Sequence, residues 1–278
     1  WELGLDSFAG AGEERAGCSY RTLGSITSRG CPFKCSYCIN SKREAALRFH
    51  SADRVVEEIK YLVDRHNIQS IAFYDELMAT DARRFRDICE AMIRHGLSHL
   101  KWECQIHART MRPEMARLMK QAGCVQVAIG FESGSQKILD TINKSAKVEE
   151  NLEAARIAHE AGIRVRGCFI IGTPGETRED VAQTEAFIRK AKIDFASVHY
   201  MTPLPGTAIF EQVREKVAEA GITWDKFTCG DPDTVNLNDA MSPEEQRRLF
   251  EKLSAQMALR NYTVPEMLKR ALRNPHHA

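Results

Sequence analysis

The sequence predicts an α/β chain, a partial (β/α)6 TIM-like barrel of parallel strands with a C-terminal helical extension. Three observations lead there. Short apolar runs alternate with helical patterns along most of the 278 residues. The runs are rich in Val, Ile and aromatics and show little apolar–polar alternation, as strands buried on both faces do. Two segments also echo each other: Gln121-Ala-Gly-Cys-Val-Gln-Val and Glu160-Ala-Gly-Ile-Arg-Val-Arg both read as helix end, glycine cap and strand start. Repeated helix–strand units stack into a parallel sheet.

The strands are expected at 23–28, 68–74, 100–107, 124–131, 163–171 and 195–201. Helices fall between them. Ser51 can cap one that carries Val55, Val56, Ile59, Leu62 and Val63 on one face. Thr80 opens another, with Phe85, Ile88, Met92 and Ile93. Pro113 suits the first turn of a third. A fourth runs over 148–161 and stops at Gly162, and a fifth follows Thr177. Six strand–helix units are two short of a full barrel. After Pro203 the pattern changes and 221–238 is irregular and polar. Ser242-Pro-Glu-Glu245 then reads as a capping box starting a helix to about Asn261, which packs over one end of the sheet.

The expected organisation is an N-terminal segment over 1–21, a barrel over 22–210 and an extension over 211–278. The chain starts at Trp1, which reads as the remnant of a longer protein. At 43% hydrophobic content it can bury a large core, and no apolar run reaches the roughly 18 residues a membrane span needs. A net charge of +1 gives no electrostatic indication of nucleic acid. Nine cysteines, an odd number, and no visible signal peptide fit a reducing cytoplasm better than a disulfide framework.

The most informative feature is Cys31-Pro-Phe-Lys-Cys35-Ser-Tyr-Cys38. Three thiolates on one loop can hold three corners of a cubic iron–sulfur cluster and leave one iron open for a ligand. Two other readings stand beside it. The cysteines could belong to a zinc site completed by His50 or Cys18, or to a disulfide with a spare thiol. No second CxxC accompanies them.

Sites in parallel α/β folds form at the carboxyl ends of strands. The cysteine loop follows the first strand. The other strands run into Tyr74-Asp75-Glu76, His107-Ala-Arg109, Gly130-Phe-Glu132-Ser133-Gly-Ser135, Gly172-Thr-Pro-Gly-Glu176 and His199-Tyr200. Polar groups gather wherever an apolar run stops.

At these residues the chain resembles the radical S-adenosylmethionine (SAM) superfamily. The segment from Ser28 to Cys38 is similar to that family's signature, and the Gly130–Ser135 and Ile171–Thr177 stretches fall where it places later motifs. The likeness covers about 20–210. The wording is most similar to the branch of cobalamin-dependent and methylthiotransferase enzymes, without their accessory domains. The resemblance implies a cluster held by Cys31, Cys35 and Cys38, whose open iron chelates SAM. It implies Tyr37 near the adenine, Asp75 or Glu76 on the methionyl amino group, Glu132 and Ser133 on the ribose, and the backbone of Ile171 and Gly172 against the adenine. It implies reductive cleavage to a 5′-deoxyadenosyl radical acting on a small-molecule substrate, with an electron donor such as flavodoxin or ferredoxin, and cobalamin in one branch. Sulfur insertion is the alternative within the family, and a zinc-stabilised binding module is the alternative outside it.

Several residues carry two readings. Arg109 is a candidate catalytic residue that could orient an anion or form a strand-end salt bridge. Tyr200, with His107 and His199, could face substrate or be held in local hydrogen bonds. Arg166 lies mid-strand, where an unpaired charge is costly; pointing inward it would meet a carboxylate or the cofactor. Cys89, Cys104 and Cys124 read as small core residues, and Cys229 lies in a polar loop.

Overall fold

The computed structural model describes residues 21–42, 47–219 and 237–261, with the single positions 221, 223 and 227. Trp1, Cys18 and Cys229 lie outside the described residues. The strands are β1 (Thr22–Ser25), β2 (Ser28–Arg29), β3 (Arg48–Phe49), β4 (Ser70–Phe73), β5 (Lys101–Ile106), β6 (Cys124–Glu132), β7 (Arg164–Ile171) and β8 (Phe195–Tyr200). The α-helices are α1 (Ala52–His66), α2 (Ala82–Arg94), α3 (Pro113–Gln121), α4 (Gln136–Thr141), α5 (Val148–Glu160), α6 (Arg178–Lys190), α7 (Ala208–Glu219) and α8 (Pro243–Asn261).

Six strands form one sheet in the order β1-β4-β5-β6-β7-β8, and every neighbouring pair is parallel. This is the expected partial (β/α)6 architecture. All six carboxyl ends therefore point the same way, and loops that follow them meet at one end. Helices cover the outer face. Trp102 sits beneath α2 and α3, edge-on to Phe73 and Phe85, with its Nε1 donating to Ala122 O at 2.8 Å. Phe131, Phe169 and Phe187 form a second aromatic knot between β6, β7 and α6.

Local differences from expectation have local causes. The first strand ends at Ser25 because Thr27 gives its N–H to the Asp75 carboxylate at 3.0 Å instead of to a ladder partner. Beyond it, Ser28–Arg29 pairs antiparallel with Arg48–Phe49, so the cysteine loop leaves from a small separate ribbon. The N-cap of α2 is Asp81, whose side chain accepts from Arg84 N at 3.0 Å; Thr80 Oγ1 bonds back to Leu77 O instead. Ser242 Oγ caps α8 through Glu245 N, but the Glu245 carboxylate turns to Arg178 rather than closing a capping box. That helix packs on the outer face of β8, where Phe250 stacks on Tyr200 at 4.0 Å.

Two helices were not expected. The six residues of α4 are too few for periodicity to register. In α7, Ile209, Val213 and Val217 repeat at four-residue spacing and are all buried, a helical signature hidden by the prolines before it.

The aromatic knot generates a stability prediction. Phe131 is fully buried against two other rings. Phe131→Ala is expected to cost about 3–5 kcal/mol, read as a fall in the urea midpoint at unchanged slope.

Candidate functional site

Cys31, Cys35 and Cys38 carry free thiols on the loop after β2. Cys35 is buried, and the other two are partly exposed. The loop is held by main-chain bonds rather than by its own length. Ser36 N donates to Ile142 O at 2.9 Å, Ser36 O accepts from Ile209 N at 3.0 Å, and Lys34 O accepts from Asn143 Nδ2 at 2.8 Å. Phe33 stacks on His107 with ring centres 3.9 Å apart. Burial pushes the Cys35 thiol up to about 11, against the pull of the Lys144 cation. Desolvation raises Cys31 also.

Asp75 and Glu76, which follow β4, separate in role. Asp75 is fully buried and accepts from Thr27 N, from Thr27 Oγ1 at 2.8 Å and from Ser28 Oγ. Arg84 backs this cluster, donating through Nη2 to Thr27 O and Oγ1 at 2.8 Å and through Nε to His50 O at 2.7 Å. Asp75 is therefore committed to holding the chain. Glu76 instead faces the loop: its Oε2 accepts from Gly30 N at 3.2 Å, just before Cys31. Of the two carboxylates, Glu76 is the one beside the cysteines.

At the end of β6 the ladder slips between Gly130 and Glu132, and Glu132 takes a left-handed φ of 62°. Its side chain folds back over Gly130, where a Cβ would strike the Glu132 carboxylate and come within 3.0 Å of Lys144 Nζ. Only glycine leaves that room. Glu132 Oε1 accepts from Tyr37 OH at 2.8 Å and from Lys144 Nζ at 2.7 Å. Both partners of the ion pair are about nine-tenths buried, at 10% and 7% side-chain exposure. Desolvation opposes the Lys144 charge, yet Glu132 and the nearby cysteines hold its pKa above the ordinary value. Glu132 in turn helps push the buried Tyr37 phenol well up, after burial itself. Lys144 thus brings a buried cation to the cysteine loop. Sequence reasoning missed it because a lysine in the Asn-Lys-Ser turn reads as surface charge.

Other residues fall elsewhere. Ser133 is fully buried, and its hydroxyl meets Thr184 of α6 at 3.1 Å and Ser135 N at 3.1 Å. It faces the helical layer and does not join Glu132. Tyr200 likewise turns outward against Phe250. Arg109 is half exposed and reaches Glu150 at 3.6 Å and Ser145 O at 3.5 Å, a surface pair of little energetic weight. The strand alternation that carries Glu103, Arg166 and Cys168 onto the concave face carries Tyr200 off it. His107 donates or accepts through both nitrogens, to Lys144 O at 3.3 Å and from Arg109 N at 3.3 Å. Burial, with Lys144 beside it, lowers its pKa to about 4, so it is neutral and donates from Nε2.

Ile171 is a core residue whose carbonyl accepts from Met201 N at 2.8 Å. Gly172 turns the chain with φ 88°, and its N–H donates to Glu176 Oε2 at 2.6 Å. Thr173 N donates to the same oxygen at 3.3 Å. The C-terminal part reaches this turn: Asn238 Nδ2 donates to Glu176 O at 2.7 Å, and a Cβ on Gly172 would lie 2.5 Å from Gln246 Nε2. Burial raises Glu176 to about 8.

Among the described residues no three His, Cys, Asp or Glu side chains converge tightly enough for a single metal ion. The three thiols are spread along their loop, a donor set suited to a many-cornered thiolate-bound group. Beside them lie one buried cation, one half-buried carboxylate, a shielded carboxylate and a glycine turn.

Residues 25–188 match the Radical SAM superfamily. An uncharacterised methyltransferase of Pyrococcus horikoshii is 36% identical over 208 residues, covering 74% of this chain and 45% of the relative. The anaerobic magnesium-protoporphyrin IX monomethyl ester cyclase of Cereibacter sphaeroides is 33% identical over 193 residues, covering 68% of this chain and 32% of the relative. The chain thus spans a third to a half of the length of these curated relatives. Among solved structures, the methyltransferase TsrM of Kitasatospora setae, with tryptophan and a SAM analogue, aligns at TM-score 0.65 and 19% identity over 71% of this chain and 39% of that one. The cobalamin-dependent enzyme OxsB, with aqua-cobalamin and SAM, aligns at TM-score 0.63 and 16% identity over 92% and 50%. These two show the same fold.

Two outcomes follow from the geometry. Lys144→Met is expected to cost about 3–5 kcal/mol, because it strands Glu132 as a buried charge; adding Glu132→Gln should restore much of the loss in a urea double-mutant cycle. Glu176 has a folded pKa of about 8 against 4.5 unfolded, so the folded state binds the proton more tightly. Its contribution is full below about pH 4.5 and fades as pH rises through about 8, so stability should fall with pH across that window and Glu176→Gln should flatten the fall.

Proposed function

Because this chain belongs to the radical SAM superfamily, we propose that Cys31, Cys35 and Cys38 hold a four-iron four-sulfur cluster and that SAM binds at the carboxyl ends of β4, β6 and β7. The observation that carries this is the meeting of three free thiols, Glu76 and the Lys144–Glu132 pair at one end of the sheet. The unit that does this is residues 22–210, with the described helices of the 211–278 extension, α8 and the greater part of α7, bracing its wall.

When bound, the reduced cluster supplies the electron that splits the sulfonium of SAM into methionine and a 5′-deoxyadenosyl radical. The chain's own residues bind and orient. Glu76 accepts from the methionyl amino group, a charge-assisted bond beside the loop. Glu132 accepts from the ribose hydroxyls, and Tyr37 and Lys144 fix its carboxylate for that task. The Gly172 turn, drawn taut by Glu176, offers backbone beside the adenine. Lys144 offsets part of the negative charge that three thiolates bring. Neutral His107 backs the loop through Phe33 and adds no charge of its own. Asp75 positions the loop from behind and touches no ligand. Ser133, Tyr200 and Arg109 have no part in this assignment, since each is engaged away from these groups.

The net reaction we favour is methyl transfer to a small molecule, with cobalamin as a further cofactor. Its support is that TsrM and the Pyrococcus horikoshii relative are described as methyltransferases and OxsB as cobalamin-dependent. Sulfur insertion is the second reading, favoured by 28% identity to a putative methylthiotransferase of Methanocaldococcus jannaschii over 77% of this chain. An electron donor of the flavodoxin or ferredoxin type would supply the reductant. Among the described residues no helix is long and apolar enough to cross a membrane. Thiols that must stay reduced imply the cytoplasm as the working compartment.

The test is anaerobic reconstitution. The protein should turn brown, bind about four irons per chain and release 5′-deoxyadenosine from SAM on reduction. Cys35→Ala should abolish release. A Cys35→Ala protein that still cleaves SAM, or a colourless protein holding one zinc, would sink the proposal.

A further inference from the structure

The concave face carries a second cluster below the cofactor end. Arg164 and Arg166 lie two residues apart on β7, so both project to one face. Glu103 of β5 and Gln126 of β6 are ladder partners on that same face. Gln126, almost fully buried, donates through Nε2 to Glu103 Oε2 at 2.5 Å. The other Glu103 oxygen is 4.0 Å from Arg166 Nη2, the outer limit of an ion pair. Arg166 makes no hydrogen bond to any described residue, and its Nε is buried without a partner. Arg164 stands over the Phe195 ring at 5.7 Å and also lacks an ion pair among the described residues.

Glu103 alone does not account for this arrangement. A guanidinium has five N–H donors and no acceptor, and its favoured partner is a planar or tetrahedral oxyanion gripped by two parallel bonds. Here the interior carboxylate is drawn away by Gln126 and meets Arg166 at a single long contact. Two guanidiniums face one carboxylate, so the local charge is positive. Lys144, a further cation at the carboxyl end of this face, is already matched by Glu132.

We propose that Arg166, supported by Arg164, is the anchor for an oxyanion of the substrate, a carboxylate or a phosphate. This rests on the reading that the concave face receives the substrate. Arg166 stands three residues below Phe169, the ladder partner of Glu132. At about 3.3 Å per residue, the anchor lies about 10 Å down the strand from the level of Glu132. The site thus selects molecules that reach from the level of Glu132 to an anionic group about 10 Å below it. Gln126 sets the selectivity by holding Glu103 back from a closed pair with Arg166.

The test uses the full chain, reconstituted anaerobically, with inorganic phosphate and acetate as probes at constant ionic strength and sodium chloride as the control. One probe should raise the melting temperature saturably above the chloride control, acetate indicating a carboxylate and phosphate a phosphate. Arg166→Gln should weaken that response by about tenfold or more, and Arg166→Lys should retain part of it. Glu103→Gln should tighten it several-fold by removing the competing carboxylate, which no folding defect would mimic. No response above chloride, an unchanged response in Arg166→Gln, or a Glu103→Gln variant no tighter than the parent overturns the proposal. Iron content and SAM binding are read on the same samples. A protein without iron whose anion response still depends on Arg166 defeats the cofactor reading and leaves this one standing.

Discussion

The carboxylate of Asp75 governs where the cysteine loop begins and ends. A buried carboxylate must be supplied with donors, and here they come from Thr27 and Ser28. To reach them the chain leaves the sheet two residues after β1 and turns into the small ribbon of β2 and β3. Arg84 completes the clamp from α2, holding Thr27 at the entrance and His50 at the exit of the same excursion. One network thus pins both feet of the loop, and the contacts of Ser36, Lys34 and Phe33 pin its crown. Such a loop spends little conformational entropy on binding, because folding has already fixed it.

The same rule orders the rest of the site. Charges that are sheltered are paired: Lys144 with Glu132, and Asp180 with Lys137. Groups that gain no charged partner are pushed toward neutrality, as His107 and Glu176 are by burial. Among the described residues, Arg166 is a charged group left incompletely matched on the face a substrate would occupy.

Much of this was legible in the residues. All six sheet strands were expected within a few positions of where they lie, because parallel strands buried on both faces read as unbroken apolar runs. The cysteine spacing and the carboxylates at strand ends were equally plain. What was not legible is direction. Asp75 and Glu76 are adjacent, and only the fold shows that one faces inward to Thr27 and the other toward Gly30. Ser133 and Tyr200 sit at strand ends as expected but project to the helical side. Lys144 is nearly as buried as its partner, although a lysine in a polar turn gives no sign of that. The reach of Gln246 and Asn238 to the Gly172 turn joins parts of the chain more than sixty residues apart, beyond any local pattern.

The slip in the ladder at the end of β6 has a wider meaning. Phe131 belongs among Phe169 and Phe187, while Gly130 and Glu132 on either side of it serve the concave face. The slip leaves Phe131 out of the pairing and sets Glu132 beside Phe169. Deleting a position before Phe131 would shift the parity of everything after it, turning the aromatic ring onto the concave face and the carboxylate into the aromatic knot. The strand therefore tolerates substitution far better than it tolerates a change of length. A one-codon deletion here would be a more severe lesion than the exchange of most individual side chains around it.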